Sequence, residues 1–332
     1  MPTSSTRGNL RFYNWQIDVC RPCSENGLWS KPFTLAVRLG KKLALPPRIF
    51  IFTSLIALVA FLSGAFAQWQ QGFRGQGFQG SGFQGYREER TPDRSEFPMW
   101  TIEAPFQADV FTFARIKYTS LAGGRGNRWQ NDFPDSDWNF SYRLQELTSM
   151  KVDPNGRVLE LTDPDLFDFP FLFMNGVGSL QFSPDEAAAL RRHLLNGGFL
   201  MVDDFWGEDE WSNMKSEMKM VFPDREPVDL PLSHPVFHIV YDMKVKPQVP
   251  DIRTWRSGSM YEFNHRGPPG DKLPHFQAYH DDNGRIVALL CHNNDLGDGW
   301  EREGENADYF ETFSVPFSYP MGINIITYAM TH

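Results

Sequence analysis

The sequence predicts an α/β sandwich with a mainly parallel sheet, and three neighbouring segments carry this prediction. The runs PFLFM (170–174) and FLMV (199–202) are continuously apolar, as strands buried on both faces are. An amphipathic helix is predicted between them. Strand, helix and strand in this order form a βαβ unit, which requires parallel pairing.

The helix of this unit has clear predicted ends. Ser183 is a predicted N-cap, Pro184 suits the first turn, and Glu186 stands where it can close a capping box. Asn196 and the glycine that follows it predict the left-handed stop at the C-terminal end. The helix is therefore expected to span about 183–196.

Further elements are predicted along a single domain of residues 100–332. Apolar patterning and turn residues indicate strands at 111–118 and 285–290, and helices at 139–150, 208–220 and 322–330. The stretch CHNNDLGDGWE (291–301) is predicted to be a shaped loop, because its Asn, Asp and Gly residues favour turns. We expect this loop at the rim of a crevice, with Asp295 and Trp300 facing a ligand.

The N-terminal part of the chain predicts export. Residues 38–67 place basic residues before a short apolar run and end in Ala65-Phe66-Ala67, the layout of a cleavable signal peptide. We expect cleavage after Ala67 and a secreted or periplasmic protein. The alternative is a retained N-terminal membrane anchor. Residues 1–37 form an extension that is consistent with a misassigned translation start, and 68–99 form a linker rich in Gly, Gln and Phe.

Charge and cysteine content exclude several classes of protein. Residues 1–67 hold eight of the 32 Lys and Arg residues but only two of the 41 acids, so the remainder carries 24 basic and 39 acidic residues. A body this acidic disfavours nucleic-acid binding. Only Cys291 follows residue 67, so the predicted mature chain has no internal disulfide.

Six segments together resemble a known family. They are FTFARIKY, PFLFMNG, GGFLMVDD, HPVFHIVYDM, NNDLGDGWE and MGINIITYAMT, and their order matches the prokaryotic family called domain of unknown function 4159. The resemblance runs from about Phe111 to Thr331. It implies a fold similar to the class I glutamine amidotransferases, a flavodoxin-like three-layer sandwich.

The amidotransferase nucleophile is missing from its expected place. Those enzymes carry a cysteine on a sharp strand-to-helix turn, whereas the comparable segments here, 175–178 and 203–206, contain none. Cys291 lies at a later strand end beside His292, without flanking glycines. We therefore expect the ancestral glutaminase chemistry to be lost.

The candidate site lies where the predicted parallel strands end, since ligands gather at the carboxyl edge of such sheets. Asp203, Asp204 and Asp295 are the candidate acid, base or cation-binding groups. Single aspartates of this kind also serve as caps or bind loop amides. Candidate ligand-binding residues are Arg115, Asn175, Gly176, His234, Asn294, Asp298 and Trp300.

Structural roles compete with these functional roles at two of the candidates. Arg115 suits a core ion pair, and His234 suits a loop-orienting position. The spacing of Asn293, Asp295 and Gly297 lacks the full calcium-loop pattern, so no metal-ligand set is assigned, and the sequence does not identify a cofactor.

Three functions follow as hypotheses. The first is a non-catalytic domain that binds a glycan, a peptide or a protein partner at the cell envelope. The alternative is a hydrolase of an envelope polymer that uses the carboxylates, with or without a metal. A structural component of an envelope assembly is a third possibility.

Overall fold

The computed structural model describes residues 93–106, 109–120 and 128–332. All of them belong to one compact unit that spans Arg87–His332. The predictions for 1–37, for the signal peptide at 38–67 and for most of the linker at 68–99 lie outside the described residues. Among the described helices, none is both long and apolar enough to cross a membrane.

Within the described part of the chain, seven strands form the main sheet and two more form a small antiparallel ribbon. The main sheet has the order β3-β1-β4-β6-β9-β8-β7, and the ribbon pairs β2 with β5. The strands are β1 (Ala114–Ile116), β2 (Thr119–Ser120), β3 (Arg157–Leu159), β4 (Phe171–Asn175), β5 (Leu180–Gln181), β6 (Phe199–Phe205), β7 (Val228–Asp229), β8 (His275–His280) and β9 (Ile286–His292).

Five of these strands pair in parallel, and two antiparallel strands extend one edge. The pairs β3–β1, β1–β4, β4–β6 and β6–β9 are parallel, whereas β9–β8 and β8–β7 are antiparallel. Numbered by chain position, the five parallel strands therefore lie in the order 2-1-3-4-5. The predicted mainly parallel α/β architecture is confirmed.

Helices cover both faces of the sheet. They are α1 (Asp135–Leu147), α2 (Pro184–Leu195), α3 (Gly207–Val221), α4 (Ile252–Arg256), α5 (Leu296–Glu301), α6 (Ala307–Tyr309) and α7 (Tyr319–Thr331). A π-helix, Phe310–Ser318, joins α6 to α7.

Alternate residues of β4 enter two separate cores, as the period of a strand requires. Phe171 and Phe173 belong to the core that contains residues of α1, α5 and α7. Leu172 and Met174 belong to the core that contains residues of α2 and α3. The sheet is thus the middle layer of three.

The predicted βαβ unit is present as β4, α2 and β6. The Ser183 side chain accepts from the backbone of Glu186 while the Glu186 side chain accepts from the backbone of Ser183, so the capping box is complete. Gly197 has a φ of +104°, which supplies the left-handed stop.

Several predicted boundaries differ from the structure. The strand predicted at 111–118 is shorter, Ala114–Ile116, and the helix predicted at 139–150 spans Asp135–Leu147. The strand predicted at 199–202 continues through Asp203 and Asp204 to Phe205, so these aspartates belong to the strand. The loop predicted at 291–301 contains a short helix, α5, because the Asp295 carboxylate accepts from the backbone N–H of Asp298 and caps it.

Trp300 lies in the larger core rather than at a surface rim. Its side chain is fully buried, and its ring centroid lies 4.3 Å from that of Phe140 and 5.9 Å from that of Phe173. This position differs from the expectation that Trp300 faces a ligand. An aromatic ring in the apolar layer between α1 and the sheet stabilises the fold instead.

Truncation of Trp300 is therefore expected to destabilise the domain. Trp300→Ala should lower the free energy of unfolding by about 3–5 kcal/mol, because it removes buried area and leaves a cavity. Urea unfolding followed by fluorescence or circular dichroism measures this. Phe263→Ala is the control, since Phe263 is 63% exposed. Equal losses in the two variants would contradict the assignment of Trp300 to the core.

Candidate functional site

The carboxyl ends of β4, β6 and β9 lie side by side. Asn175 of β4 pairs with Asp203 of β6, and Phe205 of β6 pairs with His292 of β9. The register of β6 against β9 is irregular between Val202 and Phe205. Three polar strand ends therefore meet at one edge of the sheet, as parallel pairing predicts.

Five side chains at this edge form a buried group that we call the inner cluster. Carboxylate oxygens of Asp132, Asp295 and Asp298 all lie within 4.8 Å of one another, and this set could hold a metal ion. The inner cluster comprises Asp132, Asn175, Asp203, Asp295 and Asp298.

Gly297 is the common neighbour of the inner cluster. Its backbone N–H donates to Asp203 Oδ2 at 2.9 Å. A Cβ atom at this glycine would lie 2.8 Å from Asp132 Oδ2 and 3.3 Å from Asp295 Oδ1. Asp203 and Asp295, far apart in the sequence, are thus brought to one place.

Hydrogen bonds satisfy only part of the inner cluster. Asn175 Nδ2 donates to Asp132 Oδ2 at 2.8 Å, and Asp298 Oδ2 accepts from the backbone N–H of Ile252 at 3.1 Å. Among the described residues, the buried atoms Asp203 Oδ1 and Asn175 Oδ1 have no hydrogen-bond partner. Buried polar atoms without partners are costly and call for an explanation.

Burial and mutual repulsion shift the titration of the inner carboxyl groups. Burial, together with the neighbouring carboxylates of Glu301 and Asp204, raises the pKa of Asp132 to about 8. Burial likewise raises the pKa values of Asp203, Asp295 and Asp298 well above the ordinary range. Without compensating positive charge, this group favours protonated carboxyls.

A second group, the outer cluster, lies beside the first. It comprises Arg128, Asp204, Glu210, Glu262 and His265, and one ligand atom from each of Asp204, Glu262 and His265 lies within 4.8 Å of the other two. These residues come from the segment before α1, from β6, from α3 and from the segment between α4 and β8.

His265 is at the centre of the outer cluster. Its Nδ1 lies 2.9 Å from Glu210 Oε2, and its Nε2 lies 3.3 Å from Glu262 Oε2 and 3.7 Å from Asp204 Oδ1. The second oxygens of Asp204 and Glu262 accept hydrogen bonds from residues that do not belong to the cluster. Asp204 Oδ2 accepts from the Asn131 side chain at 2.8 Å. Glu262 Oε1 accepts from the backbone N–H of Asp251 at 2.6 Å.

The two glutamates that contact His265 have opposite shifts. Burial raises the pKa of Glu262 to about 7, against the lowering effect of its hydrogen bond to His265. Burial tends to raise the pKa of Glu210, but the hydrogen bond to His265 and the charges of His265 and Arg128 outweigh burial and lower the pKa to about 2. Burial tends to lower the pKa of His265, yet the hydrogen bonds to Glu210 and Glu262 raise it to about 9.

Unusual backbone geometry accompanies Asp204. Its φ of +51° lies in the left-handed region that non-glycine residues seldom adopt. Such residues concentrate at functional sites, where surrounding contacts hold them in place. Asp204 does not cap α3, since the N-cap residue of that helix is Trp206 and it makes no side-chain cap bond.

The neighbouring candidate Gly176 makes room for the outer cluster. Its φ is +68°, and a Cβ there would approach Arg128 to 2.8 Å. Glycine at this position allows the segment that carries Arg128 to pack against the end of β4.

Arg115 supports the site without belonging to either cluster. It is fully buried, and its Nε donates to Asp137 Oδ2 at 2.9 Å, which makes it a core ion pair. Its NH1 group donates to the carbonyls of Trp129 and Asn131, so it also positions the segment that carries Arg128 and Asp132.

Two other candidates have structural contacts. Asn294 Oδ1 accepts from the backbone N–H of Val249 at 2.8 Å, which fixes the loop before α4. His234 caps the short 3₁₀ helix Pro235–Phe237 through Val236, and its ring lies 5.7 Å from that of Tyr328. His234 therefore orients a loop and contacts neither cluster.

The lone cysteine of the domain is a core residue. Cys291 lies on β9, and burial raises the pKa of its thiol well above the ordinary range. A thiol that resists deprotonation is a poor nucleophile.

Sequence reasoning missed most of the outer cluster. Arg128, Glu210, Glu262 and His265 are absent from the residues that the sequence predicts for the site, and so is Asp132 of the inner cluster. The sequence also does not predict the two groups of residues that could hold a metal ion. The spacing Glu262-Phe-Asn-His265 was the one local signal, since a carboxylate and a histidine three residues apart can share a site. No periodicity marks the segment that carries them.

The comparison with protein families agrees with this architecture. The family model described as domain of unknown function (DUF4159) matches residues 112–330. The chain belongs to the DUF4159 family. No curated protein sequence matches it. Both clusters of this DUF4159 chain lie within the matched residues.

Two groups of the outer cluster, Glu262 and His265, predict that stability falls between about pH 5 and pH 9. The pKa rises from 4.5 to about 7 for Glu262 and from 6.5 to about 9 for His265. The folded state therefore binds more protons than the unfolded state in this range. The stabilisation is complete below the unfolded values and is lost as the pH rises through the folded values.

Urea unfolding at a series of pH values, with a chelator present, measures this effect. The free energy of unfolding should fall between about pH 5 and pH 9, and the fall should be shallower in His265→Gln. His238→Gln is the control, because His238 is exposed and lies outside both clusters. Stability that increases steadily over this range would contradict the predicted protonation states.

Proposed function

We propose that this DUF4159 domain is an exported, amidotransferase-like domain that binds a ligand of the cell envelope through its outer cluster. The observation that carries the proposal is the convergence of Arg128, Asp204 and His265 from separate segments at the carboxyl edge of the sheet. Export rests on the predicted signal peptide at 38–67.

The flavodoxin-like class is part of this proposal and rests on strand order. The parallel strands follow 2-1-3-4-5, the order of flavodoxin, in which ligands bind at the carboxyl edge where the strand order reverses. Amidotransferase chemistry is excluded from the proposal because Cys291, the lone cysteine of the matched residues, is buried in β9.

The outer cluster suits a polar ligand with both donors and acceptors. Arg128 is its most accessible member, with 16% of its side chain exposed, and it offers donors beside the carboxylate of Asp204. Arginine next to a carboxylate matches the hydroxyl and amide groups of a glycan or a peptide. The excess of acidic residues after position 67 disfavours a nucleic acid.

Binding of cell-wall fragments tests the proposal. Calorimetric titration of the chain with soluble glycan and peptide fragments of the envelope should give saturable binding. Asp204→Asn should weaken it about 10- to 100-fold, because it removes a charge-assisted hydrogen bond. Asp168→Asn is the matched control, since Asp168 is exposed and lies before β4, at the opposite edge of the sheet. Equal affinity in the two variants would refute the proposed site.

Hydrolysis of an envelope polymer is the second candidate function. It is favoured by the opposite shifts at the two glutamates around His265, with pKa values of about 7 for Glu262 and about 2 for Glu210. Carboxyl groups whose environments separate their pKa values can divide the roles of acid and base. Glu262 would donate a proton to the leaving group, while Glu210 stays ionised and holds Arg128 and His265 in place.

Glu262→Gln separates hydrolysis from binding. A general acid contributes about 10²- to 10⁴-fold to the rate, so this variant should lose most turnover while it keeps ligand affinity. Release of reducing ends or free amines from the same fragments measures turnover. Unchanged turnover in Glu262→Gln would exclude this residue as the general acid. If the wild-type protein shows no turnover, hydrolysis is excluded and binding is the remaining function.

A further inference from the structure

The inner cluster brings four carboxyl groups together, and the described residues supply little positive charge that could balance them in the ionised form. Arg302 Nε lies 3.3 Å from Asp298 Oδ1. Within the described residues, no lysine, arginine or histidine forms an ion pair with Asp132, Asp203 or Asp295. Buried charges are ordinarily paired or bound to metal ions, because burial of an unpaired carboxylate is costly.

The outer cluster differs in this respect. Positive groups already contact its carboxylates. Arg128 NH1 lies 3.1 Å from Glu210 Oε1, and His265 Nδ1 lies 2.9 Å from Glu210 Oε2. The need for added positive charge is therefore greater in the inner cluster.

Two oxygen atoms of the inner cluster are available as ligands. Asp203 Oδ1 and Asn175 Oδ1 are fully buried, and among the described residues neither accepts a hydrogen bond. Both belong to the group: the Asn175 amide donates to Asp132, and the Asp203 carboxylate accepts from Gly297. These two bonds connect the side chains of Asn175 and Asp203 to the set of Asp132, Asp295 and Asp298 that could hold an ion.

Gly297 keeps this space free of side chain. A Cβ at position 297 would lie 2.8 Å from Asp132 Oδ2, 3.3 Å from Asp295 Oδ1 and 3.6 Å from Asn175 Nδ2. The φ of Gly297 is not in the left-handed region, so the backbone alone does not require glycine there. Glycine is required at position 297 because three polar side chains approach it closely.

We propose that the inner cluster is a binding site for a calcium ion, with Asp132, Asp203, Asp295, Asp298 and Asn175 as its oxygen ligands. Hard divalent cations take carboxylate and amide oxygens, and calcium accepts six to eight of them in flexible geometry. Magnesium usually keeps several waters and binds through one or two carboxylates. A buried site with several protein oxygens therefore favours calcium.

The ion would join four parts of the fold. Asp132 precedes α1, Asn175 ends β4, Asp203 lies in β6, and Asp295 and Asp298 belong to the start of α5. Calcium bound here would fix the carboxyl edge of the sheet beneath the outer cluster. This proposal does not depend on the function proposed for the outer cluster.

Calorimetry on the chain after treatment with a chelator tests the site. Titration with calcium chloride should show one ion bound per chain and should raise the melting temperature. Asp203→Asn and Asp295→Asn should each weaken calcium binding by at least about 100-fold, since loss of a ligand exceeds the effect of an outer-shell change. Far-UV circular dichroism checks that the variants are folded.

Gly297→Ala provides a test that keeps every carboxylate. Its methyl group would occupy the space between Asp132 and Asp295, so calcium affinity should fall as it does in the aspartate variants. His265→Gln in the outer cluster is the control and should bind calcium as the wild type does. That control also separates this site from the envelope-ligand site, which the His265 change would affect.

Three results would overturn the proposal. They are absence of calcium binding to the stripped wild-type chain, calcium affinity that survives both Asp203→Asn and Gly297→Ala, and tighter binding of magnesium than of calcium. If the aspartate variants fail to fold, the wild-type titration and Gly297→Ala decide the matter.

Discussion

Burial of two consecutive carboxylates at the end of β6 is the constraint on which the site depends. Successive side chains of a regular strand point to opposite faces. The irregular register after Val202 and the left-handed backbone at Asp204 accompany a split between the two aspartates. Asp203 contacts Gly297 in the inner cluster, whereas Asp204 contacts Asn131 and His265 in the outer cluster. The end of one strand thereby serves two groups of different chemistry.

The surrounding fold supplies the partners that these carboxylates require. Arg115 is buried in β1, and its bonds to Asp137 and to two backbone carbonyls attach the segment before α1 to the sheet. A buried ion pair contributes little net stability, but loss of one partner is strongly destabilising. Its main effect here is positional, because that segment carries Arg128 into one cluster and Asp132 into the other.

The sequence predicts local features of this fold well and long-range ones poorly. The capping box around Ser183 and the apolar runs of β4 and β6 depend on neighbouring residues, so their pattern is visible in the sequence. Parallel pairing then brings Asp203 near Asp295. By contrast, Glu262 and His265 lie in a long segment without periodicity, and only tertiary contacts bring them to Asp204. The sequence likewise does not show how deeply a side chain is buried, which is why it predicts Trp300 at the rim of the site rather than in the core.

The close packing of Gly178 against Glu210 restricts which side chain each of these two positions can carry. A Cβ atom at position 178 would lie 2.1 Å from Glu210 Cδ, inside any tolerable contact distance. Glu210 in turn binds Arg128 and His265, so its carboxylate cannot move aside without releasing both. A residue larger than glycine at position 178 would therefore displace the Glu210 carboxylate, and with it the orientation of the His265 imidazole.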